Sequence, residues 1–150
     1  MISDTHGLLR PEAIAALRAA DAIVHAGDVG SPEVLEALAA IAPVTAIRGN
    51  NDRGAWAEKL PLTEVLEIDG VLLYVLHDVK ELDLDPRGAG FAAVISGHSH
   101  QPRQEERDGV LFFNPGSAGP RRFKLPVAVG RLRIDGGRVR GALLELEVEP

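Results

Sequence analysis

The sequence predicts an α/β fold in which an α/β half is followed by an antiparallel β half, most simply two sheets packed together with helices outside. Three observations carry this. The first third of the chain alternates apolar runs and helical patterns in the order strand, helix, strand, helix, strand, as in a parallel sheet covered by helices. The remainder changes to paired apolar runs separated by Asp-Gly or Gly-Gly, the turn chemistry of tight hairpins. Several runs also end in Asp, Asn or His, and strand ends are where sites gather in such sheets.

Met1-Ile2-Ser3 is a short apolar lead into Asp4, so the first strand is either stunted or continued by residues upstream, and little is expected to anchor Asp4 and His6. Pro11 to Ala20 reads as a helix, with Pro11 suited to the first turn and Ile14 and Leu17 three apart. Ala22 to Ala26 is a buried strand ending in Gly27-Asp28. Ser31-Pro32-Glu33 starts a second helix, with Ser at the cap, a stripe of Val34, Leu35, Leu38 and Ile41, and Pro43 closing it. Val44 to Arg48 is a strand that runs into the turn Gly49-Asn50-Asn51-Asp52.

Glu64 to Ile68 and Val71 to Leu76 form a hairpin around Asp69-Gly70, and its second strand ends at His77-Asp78. Asp83 to Gly90 is polar and carries Pro86 and Gly88, consistent with a short helix or a loop. Ala92 to Ser96 is a strand leading into Gly97-His98-Ser99-His100. Gln104 to Arg107 and Val110 to Phe113 pair around Asp108-Gly109 and run into Asn114-Pro115-Gly116-Ser117. Val127 to Ile134 and Val139 to Leu146 pair around Asp135-Gly136-Gly137.

With 150 residues and 45% hydrophobic content, one domain over 1–150 is expected. A net charge of -6 argues against stable nucleic-acid binding and against an anionic membrane surface. The chain has no cysteine, which excludes thiolate metal sites and a cysteine nucleophile, and it has no apolar run long enough to span a bilayer. A cytoplasmic protein is the expectation. Trp56 and Tyr74 are read as packing residues, and Phe112, Phe113 and Phe123 as core or as the contact of a homo-oligomer.

Alternation along a strand lets His98 and His100 reach a common point. Asp4, His6, Asp28, Asn50 and His77 add donors at other strand ends, and carboxylate with imidazole suits manganese, iron, nickel or zinc. The donors exceed what one ion of four to six ligands needs, so two divalent ions are inferred, with a bridging carboxylate between them.

Asp4-x-His6, Gly27-Asp28, Gly49-Asn50-x-Asp52, His77 and Gly97-His98-x-His100, in this order, resemble the calcineurin-like metallophosphoesterase superfamily. Asn114-Pro115-Gly116-Ser117 looks like its small bacterial and archaeal phosphodiesterases. The resemblance implies a four-layer α-β-β-α sandwich of two mixed β-sheets flanked by helices. It assigns Asp4, His6 and His100 to a first metal, Asn50, His77 and His98 to a second, and Asp28 to the bridge. It implies a phosphodiesterase that hydrolyses small phosphodiesters by in-line attack of a metal-activated water, with two divalent ions, manganese foremost and nickel, iron, zinc or magnesium as alternatives. By their places beside Asn50, Asn51 and Asp52 are assigned to the catalytic neighbourhood, Asp52 in support of a ligand, and Arg53 to substrate binding.

This chain departs from the family in two further places. Asn51 stands where the family often has a histidine that protonates the leaving group, a role an amide cannot take. Asp78 stands where the relatives tend to have glycine, and is read as a partner of a ligand or a solvated turn residue. His25 is read as a hydrogen-bonded core residue, outside the ligand set. The alternatives are a phosphomonoesterase built on the same site, and a non-catalytic interaction scaffold resembling the retromer scaffold subunit.

Overall fold

The computed structural model describes residues 1–149. Helix α1 (Pro11–Leu17) begins on Pro11, whose fixed φ suits a first turn, and buries Ala13 and Leu17; it stops short of the expected Ala20. Strand β1 (Ile23–His25), helix α2 (Pro32–Ala39) and strand β2 (Val44–Ala46) follow, with β1 and β2 parallel. Ser31 has the extended backbone of a cap, but its hydroxyl makes no bond to the helix. Helix α3 (Ala55–Glu58) was not expected, and its Trp56 packs on the core beneath α1 and α2.

The larger sheet holds β3 (Thr63–Ile68), β4 (Val71–Leu76), β5 (Phe91–Ile95), β6 (Arg103–Arg107) and β7 (Val110–Asn114) in the order β3-β4-β5-β7-β6. β4, β5 and β7 are parallel, and antiparallel β3 and β6 form the edges. The hairpins turn on Asp69-Gly70 and Asp108-Gly109, with φ of 50 and 79° at each pair, the left-handed residues a type I′ turn requires. β8 (Ala128–Asp135) and β9 (Arg138–Glu145) close on Gly136-Gly137.

The expectation that Asp4 and His6 are poorly anchored is corrected by a ladder along β1. Ile2, Asp4, His6 and Gly7 donate their N–H groups to Val24, Gly27, Asp28 and Val29 at 2.8–3.0 Å, and Ala26 donates to Ile2. Ala118 and Gly130 donate to the carbonyls of Ser3 and Met1 from the other side. This segment thus joins β8–β9 to β1, and Ala118 and Gly130, which hold its far side, lie more than a hundred residues away in sequence.

Ile2, Ile23, Val129 and Ala118 meet α1 and α2, while Val24, Ala26 and Ile47 meet Val71, Leu73, Val75 and Ile95 between the sheets. The outer face of the large sheet, with Tyr74, Leu76 and Val94, is covered by Leu82 and Leu84 beside a 3-10 turn (Val79–Glu81), not by an α-helix. Pro86, Gly88 and Gly90 explain why this connection stays irregular. Among the described residues no helix is long and apolar enough to cross a membrane.

Candidate metal centre

Four of the parallel strands, β1, β2, β4 and β5, carry a donor just past their C-terminal ends. Asp28 follows β1, Asn50 follows β2, His77 follows β4, and His98 and His100 follow β5. Asp4, His6, Asp28, His98 and His100 all have left-handed φ, between 46 and 71°. Such a backbone costs roughly 1–3 kcal/mol per non-glycine residue, and it persists only where surrounding bonds hold it. Here the ladder to β1 and the packed strand ends do so, with strain concentrated on the donor residues.

The carboxylate of Asp4 is fully buried and is used asymmetrically. Its Oδ2 accepts from the Ser3 hydroxyl at 2.6 Å and from the His98 N–H at 3.0 Å. Its Oδ1 has no hydrogen-bond partner among the described residues, and lies 3.4 Å from Nε2 of His100 and 3.8 Å from Nε2 of both His6 and His77. His77 donates from Nδ1 to the Ala26 carbonyl at 2.7 Å, which fixes the ring and turns Nε2, also without a partner, toward the carboxylates. Asp28 accepts from the Asn51 N–H at 2.8 Å and the Asn51 side-chain amide at 2.9 Å. Its Oδ2 stands 3.3 Å from His77 Nε2 and 3.8 Å from His6 Nε2.

Buried polar atoms without partners are costly in a protein on its own terms, whereas converging imidazole nitrogens and carboxylate oxygens are the donor set of a borderline divalent cation. The site fits a metal on this ground. The field points the same way: burial lowers the His77 pKa, but Asp28, Asp4 and the Ala26 carbonyl outweigh it and raise the value to about 9. Burial likewise works against the Asp28 carboxylate, yet His77 and the two Asn51 bonds hold it below the usual carboxylate range. A positive charge is favoured between these residues.

Asp4, His6 and His100 place donor atoms within 4.8 Å of one another, and so do Asp4, Asp28 and His77. Asp4 is thus common to both groups, while Asp28 reaches toward both His6 and His77. His98 and Asn50 lie alongside: His98 Nδ1 is 3.1 Å from Asn50 Oδ1, and its ring stands edge-on to His77 with centroids 5.1 Å apart. Asp78 accepts the Lys80 N–H through Oδ1 at 3.1 Å and places Oδ2 3.7 Å from His98 Nε2.

Asp52 and Arg53 stand outside the two donor groups. Asp52 spends both oxygens on the N–H groups of Val29, Gly30 and Gly49 at 2.9–3.2 Å, so it braces the two loops that carry Asp28 and Asn50. Arg53 is exposed, and Arg48 is the arginine that lines the cavity of about 530 Å³ beside His77 and His98. Sequence reasoning missed Arg48, which ends an apolar strand, and Ser3, which sits in the lead to Asp4. Asn114, which the sequence marked only as turn chemistry, donates to the Gly97 carbonyl and Ser99 hydroxyl at 2.9 and 3.1 Å and so props the loop of His98 and His100.

His25 accepts the Gly27 N–H at Nδ1 and meets the Thr5 hydroxyl at Nε2 3.0 Å away, and the Thr5 hydroxyl donates a hydrogen bond to the Val29 carbonyl. The chain of donors requires the neutral Nε2–H tautomer, and burial lowers the His25 pKa to about 3. Between pH 6.5 and 3 the unfolded chain therefore binds a proton that the folded chain refuses, so stability falls on acidification across that window. A nitrogen-15 titration is expected to find His25 neutral at pH 5; a midpoint above pH 6 contradicts the network.

The fold and this donor set define a candidate divalent-metal centre. A model of the calcineurin-like phosphoesterase superfamily domain matches residues 1–137, and the chain belongs to that superfamily. A probable metallophosphoesterase of Methanothermobacter thermautotrophicus is 35% identical over 156 residues, covering 96% of this chain and 90% of that protein. The solved structure of an archaeal phosphodiesterase is 26% identical with a TM-score of 0.78, covering 95% of this chain and 97% of the other. Vps29 of Chaetomium thermophilum, 16% identical with a TM-score of 0.77 over 97% of this chain and 93% of its own, shares the fold.

Proposed function

We propose that the centre holds two divalent ions, manganese foremost, and hydrolyses small phosphodiesters. The observation that carries this is the pair of carboxylate oxygens, Asp4 Oδ1 and Asp28 Oδ2, standing between His6 on one side and His77 on the other. Asp4, His6 and His100 would hold one ion, Asn50, His77 and His98 the other, with Asp28 between them. Ions so bound would lower the pKa of water and neutralise charge on phosphoryl oxygens. The similarity to an archaeal phosphodiesterase supports the diester reading, and so does the shape of the surroundings. A diester has two organic arms, and cavities of about 530 and 240 Å³ both border His98 and Asp78.

The chain's own residues set the rest. The Ala26 carbonyl fixes the tautomer of His77, and Asn51 clamps Asp28 with both its backbone and its side chain. With Asn51 spent in this way, no nearby imidazole of that loop donates a proton to the leaving group. Activated aryl diesters are therefore expected to react at least about tenfold faster than alkyl esters, and Asn51→His to narrow that gap. Equal rates on both classes, unchanged by the substitution, contradict this role.

The test of the proposal is hydrolysis of bis-p-nitrophenyl phosphate and p-nitrophenyl phosphate by chelator-stripped protein with and without manganese. Manganese-dependent cleavage favouring the diester is expected. Preference for the monoester favours the alternative esterase, and no turnover with any divalent ion favours the interaction scaffold.

A further inference from the structure

The smaller cavity, lying beyond His98 on the outer face of the large sheet, has chemistry the metal centre does not use. Arg103, Glu105 and Arg107 alternate along edge strand β6 and so share one face, with Phe112 opposite Glu105 on β7. Both guanidinium groups donate to a single oxygen, Glu105 Oε2, at 2.9 and 3.2 Å, and Arg107 also lies 4.7 Å above the Phe112 ring. Lys80 lines the same cavity, and the negative groups lining it are Asp78 and Glu105. On a chain of net charge -6, three cations are gathered beside a phosphoryl site.

Two like-charged guanidinium groups converge only when something holds them, and Glu105 does so by binding one Nη2 of each. Each Arg has five N–H donors in a planar fork, so most of the donors remain for a ligand. The exposed ion pairs themselves contribute little to stability, since solvent screens them. Their consequence is arrangement: two arginine forks and Lys80 line a cavity that also borders His98. Two forks of this kind suit the several oxygens of a dianionic phosphate better than a neutral sugar or ring.

We propose that this cavity is a subsite for a terminal phosphate carried on one ester arm of the substrate, the scissile diester lying at the metal centre. The inference rests on the diesterase reading and narrows it to substrates that carry a further phosphate. Asp78 lines both this cavity and the larger one.

Calorimetric binding of thymidine 3′,5′-bisphosphate and thymidine 5′-monophosphate to the protein in manganese chloride tests this without turnover. Wild type is expected to bind the bisphosphate about tenfold more tightly, as for charge-assisted bonds to one additional phosphate. The Arg103→Gln/Arg107→Gln double variant is expected to lose that preference and each single variant part of it. A ratio near one in wild type, or the same ratio in the variants, overturns the subsite. Hydrolysis of bis-p-nitrophenyl phosphate by the same wild-type preparation reports separately on the diesterase reading. Hydrolysis without an arginine-dependent preference sinks the subsite alone, and the preference without hydrolysis sinks the diesterase alone.

Discussion

Asp28→Ala is expected to lower manganese-dependent cleavage of bis-p-nitrophenyl phosphate by at least about a thousandfold in kcat/KM, because one carboxylate serves both sides of the centre. Asp28 Oδ2 is the negative neighbour closest to His77 Nε2, at 3.3 Å, and also lies 3.8 Å from His6. Removing it takes away a donor and half the charge that favours a cation there. The Asn51 clamp is left with nothing to hold. Metal retained through gel filtration should fall together with the rate. A variant that keeps both its metal and its rate would show that Asp4, the carboxylate common to both donor groups, suffices as the shared ligand.

Gly49→Ala is the second large effect, and it acts through shape. A Cβ on Gly49 would overlap the Asp28 backbone nitrogen and Oδ1 and fall 2.8 Å from Asp28 Cγ, so either the β2 turn or the carboxylate must move. Overpacking of this kind costs about 1–3 kcal/mol, which for a domain of this size lowers Tm by roughly 3–10 °C. Manganese affinity should fall at least about tenfold as Asp28 is displaced. Gly90→Ala is the matched control: Gly90 has φ of 85° but nothing within 4 Å of its Cβ position, so it pays backbone strain without collision. Equal losses of metal affinity in the two variants would contradict the steric account.

The hairpins were legible because Asp-Gly and Gly-Gly demand left-handed backbone, and that demand is local. Asp69, Asp108 and Gly136 duly adopt it. The donors were legible because they punctuate strand ends, and the structure gathers Asp4, His6, Asp28, His77 and His100 with His98 and Asn50 alongside. What the sequence hid depends on distant partners. The N-terminal segment is held by Ser3 and Met1 carbonyl bonds from Ala118 and Gly130, which no local pattern announces. Asp52 looked like a neighbour of the chemistry because it follows Asn50-Asn51, yet its oxygens turn to the backbone of Val29, Gly30 and Gly49. Arg48 and Arg53 are equally basic in sequence, and only the path of the chain after β2 decides which lines the cavity.

Anomalous diffraction from crystals soaked in manganese chloride measures directly whether the shared carboxylates hold two ions. Two peaks about 3.5–4 Å apart are expected, with Asp28 between them, one beside Asp4, His6 and His100 and the other beside Asn50, His77 and His98. A single peak, or none, would contradict the account.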